Sequence, residues 1–385
     1  VSLGVTDLRV YYRTLAGDVK ALDGVTFDIA DGEIMGLAGE SGCGKSTLGN
    51  SLVRLDGRMK HVSGEVRLDD TLLPIADLEA MQEWRWKEIS VIPQFAMSAL
   101  NPTRKVGRIV DEMLRARGLR FRDFEPELIR RLELVGLGRE QLDRYPIELS
   151  GGMKQRAVMV ISTLLDPSLL IADEVTSALD VSSQRAVAQT LASFRDHGFV
   201  RSMIVVTHDV SILYQIADTL AIMYAGRLAE KAPTDAVMRE SLHPYTKLLI
   251  GALPEVGVRY QEQRLTGIPG TPPSLLNPPT GCRFRDRCPV AFDACVEEPP
   301  MVAVERGHHV ACWAVTPEGA TAPVVASAAV SSPVAAGTVD AASSGVVSAA
   351  TGPATPAATA EAQAAPEATP ADPPVLTGPE AGGPA

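Results

Sequence analysis

The chain has 385 residues and a formal net charge of −11, long enough for two or more domains and a large buried core. The acidic balance excludes a nucleic-acid binder that relies on bulk charge, but not a local nucleotide site. No apolar run reaches the roughly 18 residues that a bilayer span needs, and the opening "VSLGVTDLRVYY" reads as a strand rather than a secretory leader, so a cytosolic protein is expected.

Residues 1–255 alternate short apolar runs with amphipathic stretches, the pattern of an α/β domain. "GEIMGLAG", "SLLIAD" and "SMIVVTHD" are expected to be buried strands. Parallel sheets bind ligands at the carboxyl ends of their strands, so the residues that follow these runs are the first candidates for a site.

After the first run comes "GESGCGKST", residues 39–47, between a strand and the helix-like "LGNSLVRL". It fits G-x-x-x-x-G-K-[ST], and the context is the one that motif requires. Gly39, Glu40, Ser41, Gly42, Cys43, Gly44, Lys45, Ser46 and Thr47 are therefore the predicted nucleotide-binding segment. The glycines let backbone N–H groups wrap phosphates, and the helix N-terminus adds its positive dipole. Lys45 is expected at the β- and γ-phosphates and the Ser46 hydroxyl on magnesium, with Cys43 a spectator thiol.

Further along, "LSGGMKQR" at 149–156 sets a serine and two glycines before the helical "KQRAVMVISTLL", a second helix start suited to an anion. One nucleotide does not easily need two such sites from one chain. "SLLIADEVTSALD" then ends a strand in Asp173, suited to hold magnesium through water, and Glu174, suited to polarise an attacking water.

At these residues the chain resembles the ABC ATPases, whose LSGG signature completes the nucleotide site of the opposing subunit. Leu149, Ser150, Gly151, Gly152 and Met153 stand at that signature. Gln94 in "VIPQFAM", Ser177, Ala178, Leu179 and Asp180 in "SALD", and His208 in "VVTHD" also match. The resemblance implies that Gln94 senses magnesium and couples to a membrane partner. It implies that loop 177–180 faces the dimer partner and that His208 contacts the γ-phosphate. Tyr12 falls where the family stacks an aromatic on adenine, with Tyr11 as the alternative. The expected fold is an α/β P-loop nucleotide-binding domain over 1–255, with a helical subdomain at about 95–165. One departure is Val175, where the family usually has Pro; an extended valine there is expected to leave activity intact.

"HPYTKLLIGALP" at 243–254, the Pro-rich "GIPGTPPSLLNPPTGC" and a four-cysteine module resemble the oligopeptide and dipeptide permease branch. Connector and module span 256–316, and "SGGM" fits the first of that branch's two paralogous ATPases. The resemblance implies an importer subunit on the cytoplasmic face of the membrane. Its implied partners are a paralogous ATPase, two membrane permease subunits and, indirectly, an extracytoplasmic substrate-binding protein. ATP and magnesium are the implied ligands.

Cys282, Cys288, Cys295 and Cys312 are spaced unlike a zinc knuckle or a bacterial ferredoxin run. Arg283, Arg285 and Arg287 among them would suit an anionic cluster. The branch carries a [4Fe–4S] cluster on a matching set; zinc and unliganded thiols remain alternatives, and His308 or His309 is a lesser ligand candidate. "WRWKEISVIPQFAMSALNP" is also similar to oligosaccharide-linked members, and nickel importers share the branch, so the cargo stays open. A soluble ABC ATPase outside transport, or a cluster-based regulatory protein, are the readings of another class. Residues 317–385 carry six acidic residues and no Lys, Arg or aromatic, and are expected to be a disordered acidic tail.

Overall fold

The computed structural model describes residues 3–53, 56–177, 179–253 and 267–316. The chain divides into two units, Val1–Ala328 and Ala329–Ala385. The second unit, the whole predicted tail, part of the predicted connector and Ala178 lie outside the described residues.

The first unit opens with two long strands, β1 (Leu3–Thr14) and β2 (Gly17–Ile29), followed by β3 (Ile34–Ala38) and helix α1 (Lys45–Val53). Then come β4 (Met59–Leu68), β5 (Thr71–Leu72) and β6 (Ile89–Ile92). A helical stretch follows, α2 (Val106–Arg115), α3 (Phe121–Leu134) and α4 (Gly151–Thr163), and then β7 (Leu169–Asp173), α5 (Val181–Asp196) and β8 (Ser202–Val206). The rest is α6 (Val210–Ile216), β9 (Thr219–Tyr224), β10 (Arg227–Pro233), α7 (Thr234–Glu240), α8 (Pro244–Gly251), β11 (Val302–Val304) and β12 (His308–Val310).

Two sheets result. One is an antiparallel four-stranded sheet in the order β2-β1-β4-β5; the other has eight strands in the order β11-β12-β10-β9-β3-β8-β7-β6. In the larger sheet β9, β3, β8, β7 and β6 run parallel. β3, β7 and β8 are buried at every residue, which is why their sequences read as unbroken apolar runs rather than alternating ones. The period of two survives in what each face touches. Met35, Leu37, Leu169, Ile171, Ile204 and Val206 pack with α1 and the antiparallel sheet, while Ile34, Ala38, Leu170, Ala172, Met203 and Val205 pack with the helices.

The helical stretch is amphipathic in the ordinary way. Val106, Val110 and Leu114 form the buried stripe of α2, four residues apart and therefore on one face. Arg131 of α3 is buried, and its guanidinium binds Glu127, the Thr163 carbonyl and Asp166, tying α3 to the end of α4. Among the described residues no helix is long and apolar enough to cross a membrane.

The segment that carries the four cysteines also contributes to the main sheet. β12 pairs antiparallel with β10, Val310 opposite Glu230, and so extends the main sheet. The described part of the Pro-rich connector forms no helix or strand, but lies against β2, where Lys20 N–H donates to the Leu275 carbonyl at 2.8 Å. Glu230, fully buried in β10, accepts from the N–H groups of Leu242 and His243 at 2.7 and 3.1 Å and from His308 Nε2 at 2.6 Å. Burial pushes its carboxyl up, but the bonds from His308 and from the Leu242 and His243 N–H groups outweigh burial and hold it below the usual 4.5.

A depressed carboxyl stabilises the fold fully above its unfolded value and loses that contribution as pH falls through the folded one. Glu230→Gln is expected to cost about 2 kcal/mol at neutral pH. In urea melts, its gap to the unsubstituted protein should shrink progressively below about pH 4.5.

Candidate active site

The loop between β3 and α1 is a tight backbone nest. Gly39 and Gly44 take φ of 145° and 107°, and a Cβ at either would collide with the Met223 carbonyl or the Ala21 carbonyl respectively. Glycine is required here by the closeness of β9 and β2 as well as by the turn itself. Lys45, 6% exposed, lies back along the loop and donates to the carbonyls of Gly39 and Glu40 at 2.7 and 3.0 Å. Cys43 is buried, and burial pushes its thiol up, in keeping with an inert core thiol.

At the start of α1 the Ser46 hydroxyl donates to Asp173 Oδ1 at 3.0 Å. Burial pushes the Asp173 carboxyl up from 3.8, partly opposed by that bond and reinforced by the Glu174 charge beside it. A buried carboxylate held at such cost is suited to a cation. Glu174 leaves the strand in the left-handed region, φ 47°, a strain of roughly 1–3 kcal/mol for a non-glycine residue. Its side chain accepts from Gln94 Nε2 at 2.6 Å, while its own N–H donates to Val206 O at 2.8 Å. The three predicted magnesium partners, Ser46, Asp173 and Gln94, are therefore bonded to one another or to the predicted base, Glu174, at the mouth of the loop.

The backbone after Glu174 is not extended. Ser177 N–H donates to the Glu174 carbonyl at 3.0 Å, closing a turn, because the left-handed Glu174 folds the chain back. Val175 is buried in it, and its carbonyl accepts from Gln155 Nε2 on α4. This bond connects the helix behind the signature to the turn that follows Glu174.

His208 is exposed just beyond β8. Tyr12 is half-buried with its hydroxyl 3.3 Å from Thr47 Oγ1, whereas Tyr11 turns to Asp23 Oδ1 at 2.7 Å. The aromatic beside the phosphate loop is therefore Tyr12. Ser150 caps α4, accepting from Met153 N–H at 3.3 Å; Ser150 and Gly151 face solvent, Gly152 and Met153 are half-buried, and Leu149 is core. Asp180 caps α5, binding Ser182 and Ser183, whose hydroxyls and N–H hold its carboxyl well below the carboxylate range. Ser177 and Leu179 are half-buried beside it.

The four cysteines come together. Cys282, Cys288, Cys295 and Cys312 are free thiols lining one small cavity with Phe284, Trp313 and His243. Burial pushes Cys288 and Cys312 up to about 11. Among the described residues, no three or more His, Cys, Asp or Glu side chains gather closely enough to hold a metal ion. The hydrogen bonds of the three arginines go to other groups than the thiols. Arg283 binds Asp23 and the Ala225 carbonyl, Arg287 binds Glu40 and Tyr224, and Arg285 pairs with Asp286. Arg283 and Arg287 are buried, and each is held by a carboxylate distant in sequence. His308 is taken by Glu230 and His309 bonds the Gly307 carbonyl, so neither turns toward the cysteines as a ligand.

Two residues of the site escaped the sequence. Tyr245, in α8, accepts the Glu40 N–H at 2.8 Å, and Arg287 clamps the Glu40 carboxylate. "HPYTKLL" and the arginine-rich cysteine run were the signals, but neither points to the phosphate loop.

Fold and site together define an ATP-hydrolysing cassette of the ABC type. The ABC transporter family profile matches residues 22–177, and the profile of the oligopeptide/dipeptide transporter C-terminal region matches 229–295. A dipeptide transport ATP-binding protein of Caldanaerobacter subterraneus subsp. tengcongensis is 38% identical over 319 residues, covering 81% of this chain and 96% of the relative. An oligopeptide transport ATP-binding protein of Bacillus subtilis is 37% identical over 325 residues, covering 82% and 89%. In fold, the chain resembles an ATP-binding cassette solved as a dimer with ADP and phosphate, with TM-score 0.52 and 24% identity over 60% of this chain and 98% of that one. The chain belongs to the ATP-binding proteins of the oligopeptide/dipeptide ABC transporter family, and it is an ATPase.

Gln155→Leu keeps the bulk of the side chain and removes the donor to Val175. The freed carbonyl and loosened turn are expected to lower kcat for ATP hydrolysis about tenfold while KM for ATP stays within about twofold. Steady-state kinetics on the two proteins check this.

Proposed function

We propose that this chain powers import of oligopeptides or dipeptides from the cytoplasmic face of a membrane. Two ATPase subunits would close on two ATP molecules and pull on separate permease subunits. The observation that carries the peptide reading is the C-terminal match over 229–295, in a chain whose relatives at 37–38% identity are named for peptide and dipeptide transport. Neither relative is named for sugar or nickel.

In this reading Lys45 and the backbone N–H groups of the 39–47 loop, other than that of Glu40, which Tyr245 holds, bind the phosphates, and Tyr12 stacks on the adenine. Ser46, Asp173 and Gln94 would hold magnesium, which supplies charge neutralisation on the phosphates when bound. The Ser46–Asp173 bond at 3.0 Å supports this, because both groups already point at one spot. Glu174 acts as the base: the Gln94 bond aims its carboxylate, and the turn after it fixes its direction. His208 contacts the γ-phosphate from the end of β8. Ser150, Gly151 and Gly152, with Leu149 and Met153 behind them, serve the nucleotide of the opposing subunit. The solvent-facing Ser150 and Gly151 support that reading. Loop 177–180 lies toward that subunit, which we take to be a paralogous ATPase, with this chain the first of the pair. An extracytoplasmic binding protein delivers cargo to the permease pair.

Cys282, Cys288, Cys295 and Cys312 would supply the four thiolates of a [4Fe–4S] cluster; what supports this is that four free thiols line one cavity, and since as they stand they form no group that could hold a metal ion, they would have to draw in around it. Its contribution would be to fasten the segment around it.

Glu174→Gln is expected to keep ATP binding and reduce turnover by about a hundredfold to ten-thousandfold; unchanged steady-state hydrolysis would move the base elsewhere. Cargo is tested with the chain assembled with its partner ATPase and permease subunits. ATPase activity should rise with a binding protein loaded with peptide and not with one loaded with oligosaccharide. The reverse pattern would overturn the peptide reading and keep the ATPase.

A further inference from the structure

Glu40 is an awkward residue for a phosphate loop, a carboxylate in the segment that must receive a polyanion. The structure shows how its charge is handled. Arg287, from the four-cysteine segment 247 positions away, donates from both terminal nitrogens to the two Glu40 oxygens at 2.7 and 2.9 Å. The arginine is 9% exposed, and its other donors are committed too. Nε binds the Pro269 carbonyl at 2.7 Å, and one terminal nitrogen also reaches the Tyr224 hydroxyl at 3.1 Å. Its plane lies near the rings of Tyr224 and Phe284, 5.7 and 5.9 Å from their centroids.

The same residue is held along its backbone. The Glu40 N–H donates to Tyr245 at 2.8 Å, and its carbonyl accepts from Lys45 Nζ at 3.0 Å. Every polar atom of Glu40 is therefore engaged, by α8, by the cysteine segment and by the loop lysine. A bidentate arginine both neutralises a carboxylate and fixes its direction.

We propose that Arg287 is a positioning residue of the nucleotide site, balancing the Glu40 charge and fixing its direction so that the phosphate loop accepts ATP. This rests on the ATP-site reading above. It gives the C-terminal segment a part in nucleotide binding that does not depend on what the cysteines hold.

The test is nucleotide affinity of the full chain, measured by titration with ATP alongside melting temperature. Arg287→Met frees a partly buried carboxylate beside the phosphates and should raise Kd for ATP about tenfold. Adding Glu40→Gln removes the freed charge and should recover most of that loss, whereas a merely structural arginine would give no recovery. Wild-type affinity in folded Arg287→Met overturns the proposal, and so does a loss that the second substitution leaves in place. If Arg287→Met does not fold, Arg287→Lys decides: it keeps the charge but cannot bridge both oxygens and Pro269, and should raise Kd about threefold, with an unchanged value overturning the idea. Lys45→Ala separates the two levels. If it binds ATP normally, the ATP-site reading itself fails; if it alone loses ATP, only the role of Arg287 fails.

Discussion

The site depends on how little room the phosphate loop has. It passes so close to the carbonyls of Met223 and Ala21 that neither Gly39 nor Gly44 can carry a side chain. That closeness requires β9 and β2 to stand where they do. β2 belongs to the antiparallel sheet and β9 to the parallel block, so the loop is gripped by both layers. The core that joins these layers, with Met35, Leu37, Leu48 and Ile171 meeting Leu8, Val10 and Leu22, is therefore also what holds the site in shape.

Charge is the second constraint. Asp173 and Glu174 are consecutive acids at a buried strand end, and each ionised group disfavours the other. The structure separates their tasks by backbone conformation. Asp173 stays in the strand, buried against Ser46, while the left-handed turn at Glu174 throws its side chain outward to Gln94. One acid is thus placed in low dielectric, where its charge is worth most to a cation, and the next where water can reach it. Strain at Glu174 is compensated by the Ser177 turn bond and by Gln155 from α4.

Much of this was legible before any coordinates. The loop, the signature and the acid pair are contiguous in sequence, because each is a strand-to-helix or loop-to-helix junction whose chemistry is set by neighbours within ten residues. The choice of Tyr12 over Tyr11 needed structure, since alternation along β1 says that the two face opposite ways but not which way is inward. The partners of Arg283 and Arg287 are not legible in the sequence. Arginines between cysteines look like a shell for an anion, yet Asp23 and Glu40 are their partners across 260 and 247 residues, and no local period encodes such pairs. An extended backbone at Val175 is a local expectation, and the turn closed by the Ser177 N–H on the Glu174 carbonyl replaces it.

The same long-range contacts change what counts as the nucleotide domain. β12 adds to the sheet at β10, Arg283 ties the cysteine segment to the β2 hub at Asp23, and Arg287 reaches the phosphate loop. Asp23 already receives Arg9 and Arg227 as well, so removing Arg283 would leave it paired, whereas Glu40 receives its charge partner only through Arg287 among the described ion pairs. The two arginines sit four residues apart in one segment and look equivalent in sequence. Their electrostatic settings differ: the first adds to a satisfied network, and the second balances a charge that the site would otherwise have to bear.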